Sequence, residues 1–202
     1  MSRPLKLIVG LGNPGAQYAD TRHNAGAWFV TRFADLQGAS FRAEKKFFGM
    51  IATTVAHGQE LRLLLPTTYM NDSGKSVGAT ARFYKIEPEE MLVVHDELDL
   101  SMGTIRFKKG GGLAGHNGLR DISAALGGSQ AFNRIRIGVG HPGEKSEVTG
   151  HVLGKASVRD RDLIHQCIGE ALRYLPLAIE GNIEQAMNEL NGFKAEAADR
   201  SE

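Results

Sequence analysis

The chain has 202 residues, 42% of them hydrophobic, with 24 basic against 23 acidic side chains. That is enough for one substantial core, and the balanced charge means that any basic surface must be local. The single cysteine, Cys167, excludes an intrachain disulfide or a Cys-based zinc site and fits a reducing, cytoplasmic setting, and no window approaches the apolar length of a signal-peptide core or membrane span.

Leu5 to Val9 is a short apolar run and predicts a buried strand. A polar loop follows from Gly10 to about Arg22. Ala25, Trp28, Phe29, Phe33 and Leu36 then fall at helical spacing, stopped at Gly38. Met50 to Ala56 and Leu61 to Leu65 flank His57-Gly58-Gln59-Glu60 and predict a hairpin, closed by Pro66. Asn71-Asp72-Ser73 offers capping side chains to a helix carrying Val77, Ala81 and Tyr84. Met91 to Val94 predicts another buried strand, Thr104 to Phe107 a strand before a glycine cluster, Gly118 to Leu126 a helix and Ile135 to Val139 a strand. Leu163, Ile164, Cys167, Ile168, Ala171, Leu172 and Leu175 form one strong amphipathic stripe, which places Cys167 in the core. Ile183, Ala186, Met187 and Leu190 form a shorter one. Strands interleaved with helices predict an α/β fold: a twisted mixed β-sheet with helices on both faces. One domain is expected over residues 1–193, with a frayed polar tail over 194–202.

Three motif spellings fail on context. Gly10-Leu11-Gly12-Asn13-Pro14-Gly15 spells a dinucleotide-binding loop. Such a loop leads straight into a helix whose first N–H groups hold the pyrophosphate. Here Pro14 lacks an N–H and a polar stretch separates Gly15 from the helical stripe, so no dinucleotide cofactor is expected. Gly74-Lys75-Ser76 lacks the upstream glycine of a P-loop, the position being Tyr69. Gly74-Lys75-Ser76-Val77-Gly78 spells a nucleophile elbow, but the residues before it are polar and turn-like rather than a buried strand.

A polar constellation remains. Asn13, Tyr18 and His23 follow the first strand; Tyr69, Met70 and Asn71 follow the hairpin; Asp96 follows the strand from Met91; His116 and Asn117 end the glycine-rich segment. Loops at the carboxyl ends of α/β strands converge on one crevice. His23 with Asp96 makes a plausible general-base pair, the carboxylate fixing the tautomer and steadying the imidazolium. Read alone, His23 fits a structural histidine at a helix N-terminus more readily, Asp96 a turn residue, and Asn71 and Asn117 helix caps. The seven histidines show no local metal-ligand spacing, so no metal is expected. Arg106, Lys108, Lys109, Arg134 and Arg136 can form a local basic patch; for Arg106 and Lys109 a solvated strand face is an equal alternative.

The blocks "IVGLGNPG" with Tyr18 and "TRHNAG", "PTTYMNDSG", "VVHDELDL" through "GHNGLRDI", and "RIRIGVGHPG" resemble the bacterial-type peptidyl-tRNA hydrolase family in order, from about Leu5 to Phe193. The resemblance implies an esterase that cleaves peptide from the terminal ribose of tRNA, recycling tRNA from peptides released early by the ribosome. It implies His23 as base, Asp96 as its orienting partner, and Asn13 as the residue distinguishing a blocked from a free amine. Tyr18, Tyr69, Asn71 and Asn117 become contacts to the peptidyl–adenosine end, with Met70 and His116 in the same pocket. Lys108 and Arg136 fall where the family places basic groups near the tRNA 5′ phosphate. A metal-free, cytoplasmic monomer is implied, bound to the tRNA acceptor end. Two departures stand out: Tyr69, where Phe is also common, and Leu113-Ala114, where His-Gly is frequent. The mechanism expected on this basis is attack by a water that His23 deprotonates, with the Asn13 side-chain carbonyl accepting the blocked amine's N–H. A non-catalytic RNA-binding relative and a serine esterase using Ser76 are the competing classes.

Overall fold

The computed structural model describes residues 2–197. Its elements in chain order are β1 (Leu7–Gly10), α1 (Ala25–Leu36), β2 (Arg42–Glu44), β3 (Gly49–Ala56), β4 (Gln59–Pro66), α2 (Ser73–Tyr84), β5 (Met91–Glu97), β6 (Ile105–Lys109), α3 (Asn117–Ala125), β7 (Asn133–Gly138), α4 (Val148–Val152), α5 (Val158–Ile179) and α6 (Ile183–Leu190). The seven strands form one sheet in the order β2-β3-β4-β1-β5-β7-β6. The centre is parallel, with β1 between β4 and β5 and β7 beyond β5; the β2–β3, β3–β4 and β6–β7 pairs are antiparallel. The expected mixed α/β sheet is therefore observed.

Both faces of the central strands are buried, which is why they read as unbroken apolar runs. Alternate residues divide between two cores, as the period of a strand requires. Ile8, Leu92 and Val94 pack with Phe29, Val30, Ile164, Ile168 and Leu175 of α1 and α5. Leu7, Val9, Met91 and Val93 pack with Val77, Ala81, Leu119 and Ile122 of α2 and α3. Cys167 is buried in the first core, where burial pushes its thiol up to about 12. The β3–β4 hairpin turns at His57 and Gly58, with φ of 50° and 73°, the pair of positive angles a two-residue hairpin turn demands.

Several boundaries differ from expectation, each for a local reason. Leu36 sits on the helical stripe yet is 67% exposed, as the last residue of α1. β2 has only three residues and α4 only five, with a glycine inside, so neither produces a readable period. The strong stripe belongs to a longer helix, α5, whose N-terminus is capped by Ser157 accepting the Asp160 N–H at 3.0 Å. β5 continues past Val94 to Glu97, so Asp96 is a strand residue rather than a loop residue. The tail is not frayed at its start: Lys194 bridges Thr104, and the Ala195 N–H donates to the Gly103 carbonyl at 2.7 Å. Residues 198–202 lie outside the described residues.

Gly26 lets α1 lie against β5. A Cβ there would stand 2.1 Å from the Val94 carbonyl oxygen, which is backbone and cannot yield. Gly26→Ala is expected to destabilise the fold by about 1–3 kcal/mol, the usual range for overpacking. Thermal melts would read the loss as a lower Tm, and an unchanged Tm would show that α1 can shift freely.

Candidate active site

The loop after β1 is built by Asn24. Its Oδ1 accepts the Asn13 N–H at 2.8 Å and its Nδ2 donates to the Asn13 carbonyl at 3.0 Å. A Cβ on Gly12 would meet the same side chain at 2.8 Å. The glycine spelling thus makes room for an asparagine, and the Asn13 N–H is not open to a phosphate.

The turn from Arg22 to Asn24 then leads into α1 and swings His23 over β5. His23 Nδ1 lies 2.9 and 2.8 Å from the two carboxylate oxygens of Asp96. Asp96 is 2% exposed and takes a second histidine, His116 Nε2, on Oδ1 at 2.9 Å. His116 also caps α3, its Nδ1 accepting the Leu119 N–H at 3.4 Å, so Nε2 carries the proton given to Asp96. A third histidine, the fully buried His95, hydrogen-bonds the Asp96 carbonyl through Nδ1 at 2.7 Å. Burial, together with the neighbouring His116, holds His95 well below the ordinary imidazole range, so it stays neutral.

Burial alone would raise the Asp96 pKa; its interactions and hydrogen bonds with His23 and His116 outweigh it and hold the carboxyl far below the usual carboxylate range. Burial alone would lower the His23 pKa, but the Asp96 charge and hydrogen bond leave it raised. His23 is accordingly a stronger base than a free imidazole, with Nδ1 committed to Asp96 and Nε2 uncommitted.

These residues border a cleft of about 430 Å³. The structure brings Asn13, Tyr18, His23, Tyr69, Met70, Asn71, Asp96, His116 and Asn117 to it, every residue expected in the pocket. Tyr18 and Tyr69 meet edge to face, ring centroids 6.4 Å apart, and Tyr69 is 55% exposed. Asn71 and Asn117 are not helix caps; α2 begins after Asp72, and His116 holds the cap of α3. The Asn13 Oδ1 accepts the Met70 N–H at 2.7 Å, which uses one of the oxygen's two lone pairs and fixes the side chain at the cleft.

Lys108 and Arg136 lie outside the cleft, on β6 and β7. Lys108 Nζ donates to the Gly112 carbonyl at 3.2 Å, and burial with the charges of Arg134 and Arg136 lowers its pKa. Arg136 Nε pairs with Glu97 at 2.7 Å, and Glu97 borders the cleft. Arg134 does not join a surface patch. It is 1% exposed, and its Nη2 donates to the carbonyls of Gly110, Gly111 and Gly112 at 3.0, 3.0 and 2.7 Å. Burial, with the Arg136 charge, lowers its pKa to about 10. Arg106 reaches the Phe193 carbonyl and Lys109 pairs with Glu184.

Sequence reasoning missed Glu97 and the α4 wall, where Val148, Thr149, Val152 and Leu153 face the cleft. Spacing of Val148 and Val152 was the available signal, weakened by Gly150 and Gly154. It also missed that His116 shares the carboxylate expected to pair with His23: the ligand atoms of His23, Asp96 and His116 lie within 4.8 Å of one another, the one such metal-type trio among the described residues. The contacts are N–H···O bonds of 2.8–2.9 Å. A tetrahedral ion with ligands at about 2.0–2.1 Å would instead spread the donors to about 3.3 Å and displace both protons. The trio therefore fits a hydrogen-bonded relay better than a metal. Ser76 is fully buried in α2 with no hydrogen-bond partner and is absent from the cleft, which removes the serine-elbow arrangement.

Comparison with known proteins accords with this geometry. The chain matches the family described as peptidyl-tRNA hydrolase over residues 7–198. It is 55% identical over 192 residues to a peptidyl-tRNA hydrolase of Shewanella baltica, covering 95% of this chain and 98% of that protein. A peptidyl-tRNA hydrolase of Edwardsiella ictaluri is 56% identical over 193 residues, covering 96% and 98%. The crystal structure of peptidyl-tRNA hydrolase from Acinetobacter baumannii superposes with a TM-score of 0.91 at 50% identity, covering 94% of this chain and 96% of that one. With this coverage and identity, the chain belongs to the peptidyl-tRNA hydrolase family.

Proposed function

We propose that this cleft carries out the family's reaction, hydrolysis of the ester joining a peptide to the terminal ribose of tRNA, with water as nucleophile and His23 as its base. The observation that carries the reading is the Asp96 carboxylate held between His23 and His116, leaving His23 Nε2 uncommitted at the cleft. Nε2 takes a proton from water as its oxygen attacks the ester carbonyl, and Asp96 stabilises the imidazolium. The proton then passes to the departing ribose oxygen, leaving a peptide carboxylate and free tRNA. Asn13, whose side chain borders the cleft, serves in this reading as an Nδ2 donor to the water or the developing oxyanion. Asn71 and Asn117, with unbonded side-chain amides, offer the carbonyl that accepts the N–H of a blocked amine. A free aminoacyl ester carries an α-amine with pKa near ~8 and is largely charged, so it would lose hydration in a cleft without a matching anion.

Lys108 and Arg136 are read as contacts to the 5′ phosphate region, and Tyr18 and Tyr69 as surfaces for the acceptor end. The enzyme is read as a cytoplasmic monomer. No helix among the described residues is long and apolar enough to cross a membrane. The test is release of N-acetyl-amino acid from N-acetyl-aminoacyl-tRNA. Parent and Ser76→Ala are expected to release it at similar rates. An inactive parent would refute the reading, and a Ser76→Ala variant that alone loses activity would restore the serine mechanism.

The proposed role of Asn13 makes its own prediction. Asn13→Asp keeps an acceptor for the Met70 N–H but replaces the donor with an anionic oxygen. Loss of an oxyanion donor typically costs ~10²–10³ in kcat. The same negative charge favours a charged amine, so the kcat/KM ratio of N-acetylated to free aminoacyl-tRNA is expected to fall. Unchanged kcat and ratio would show that Asn13 only holds Met70.

A further inference from the structure

A second groove, of about 380 Å³, opens beside the cleft, between the β2–β3 turn and the segment after β4. Its walls include Glu44, Lys45, Phe48, Met50, Thr67 and Thr68. It is continuous with the cleft in sequence, since the next residue, Tyr69, borders the cleft.

Phe48 is the unusual residue here. It has φ of 49° and ψ of 42°, the left-handed region that a bulky side chain rarely occupies. The strain does not serve the core: Phe47 is buried, whereas Phe48 is 39% exposed. The conformation is held by the Thr67 N–H donating to the Phe48 carbonyl at 2.9 Å, and Lys75 Nζ lies 4.3 Å from its ring centroid. An aromatic face kept outward at a conformational cost is open to a ligand.

Resting on the function proposed above, we infer that this groove receives the peptide of peptidyl-tRNA beyond the residue esterified to the ribose. The sheet order sets the direction. The reacting centre lies over β1 and β5, with β7 and β6 on one side and β4 and β3 on the other. Lys108 and Arg136, the proposed phosphate contacts, are on the β6–β7 side. The other half of the substrate leaves toward β4 and β3, where the groove lies. Its lining suits a peptide better than RNA. Phe48 and Met50 give apolar contact without sequence demands, and the charges of Glu44 and Lys45 offset each other, so the groove is not the basic surface a phosphate chain needs.

The test compares two substrates on one tRNA with the same esterified residue: N-acetyl-aminoacyl-tRNA and tetrapeptidyl-tRNA. Phe48→Gly removes the ring and suits the positive φ, so the fold is expected to keep its Tm. Its kcat/KM on the tetrapeptidyl substrate is expected to drop about tenfold, chiefly through KM, as lost burial of one large apolar side chain implies. The N-acetyl substrate is expected to change less than twofold. Lys75→Ala, at an exposed position, is expected to give a smaller loss with the same selectivity. Equal losses on both substrates, growing with salt, would overturn the inference and mark the groove as an RNA surface. No loss on either would overturn it outright. A parent inactive on both would instead refute the hydrolase reading itself.

Discussion

His23→Ala is expected to lower kcat on N-acetyl-aminoacyl-tRNA by about 10²–10⁴, the usual contribution of a positioned general base, with little change in KM. The split follows from placement. His23 meets Asp96 through Nδ1, and its uncommitted Nε2 acts only as the proton moves. Substrate binding rests on other groups, the tyrosines, asparagines and basic residues, which the substitution leaves in place. The pH profile supplies a second readout. The base must be neutral to work, and the Asp96 charge raises the His23 pKa above the ordinary value of 6.5. The acid limb of kcat/KM in the parent is therefore expected to have its midpoint above that value, and in His23→Ala the limb should vanish. Stability runs the other way. A raised folded pKa means the fold favours protonated His23; that contribution is full below the unfolded value and is lost as pH rises through the folded one. The active form of the base is thus not the one that most stabilises the fold. A His23→Ala variant retaining more than a tenth of the parent kcat would overturn the general-base role.

The parts of this architecture that the sequence makes legible are those whose burial is one-sided or complete. Val9, Val93 and Leu92 sit in strands buried on both faces, and α5 and α6 carry one apolar stripe each, so period and run length reveal them. β2 and α4 are too short to have a period, although α4 forms a wall of the cleft. The site was legible as a set of polar residues at strand ends, with His23 and Asp96 read as a pair, but the sharing of that carboxylate with His116 was not. His23 and Asp96 are 73 positions apart, and His116 is 20 beyond Asp96, so no local spacing shows the shared carboxylate. The Asn13 oxygen likewise has a partner that no local spacing shows, the Met70 N–H 57 positions away. Arg134 looks like its neighbour Arg136 on paper and shares its face of β7, yet their places along the strand differ: Arg134 lies buried against the Gly110–Gly112 carbonyls, while Arg136 reaches Glu97.

Asp96→Asn is expected to do more damage than an isosteric change suggests, because one carboxylate serves two donors. In the parent, both His23 Nδ1–H and His116 Nε2–H point at oxygen. An asparagine with its oxygen in the Oδ1 place still accepts from His116, but its NH₂ group then takes the Oδ2 place, 2.8 Å from His23 Nδ1, where donor would face donor. His116 is committed to its Nε2–H form, because its Nδ1 accepts the Leu119 N–H at the start of α3. The amide oxygen is then drawn to His116, and its NH₂ group faces His23. His23 must place its lone pair on Nδ1 and its proton on Nε2, the tautomer that cannot take a proton from water at the cleft. Where an aspartate orients a catalytic histidine, the corresponding change to asparagine lowers kcat by about 10⁴ through the same tautomer error, and a loss of about 10³–10⁴ is expected here. The charge is lost as well, and with it the main interaction raising the His23 pKa, so any residual activity should show its acid limb displaced to lower pH. KM is expected to stay within a few-fold of the parent, since Asp96 is 2% exposed and lies beneath the binding surface. The deciding measurement is the pH dependence of single-turnover release: an acid limb that stays where the parent has it would show that Asp96 neither charges nor orients His23.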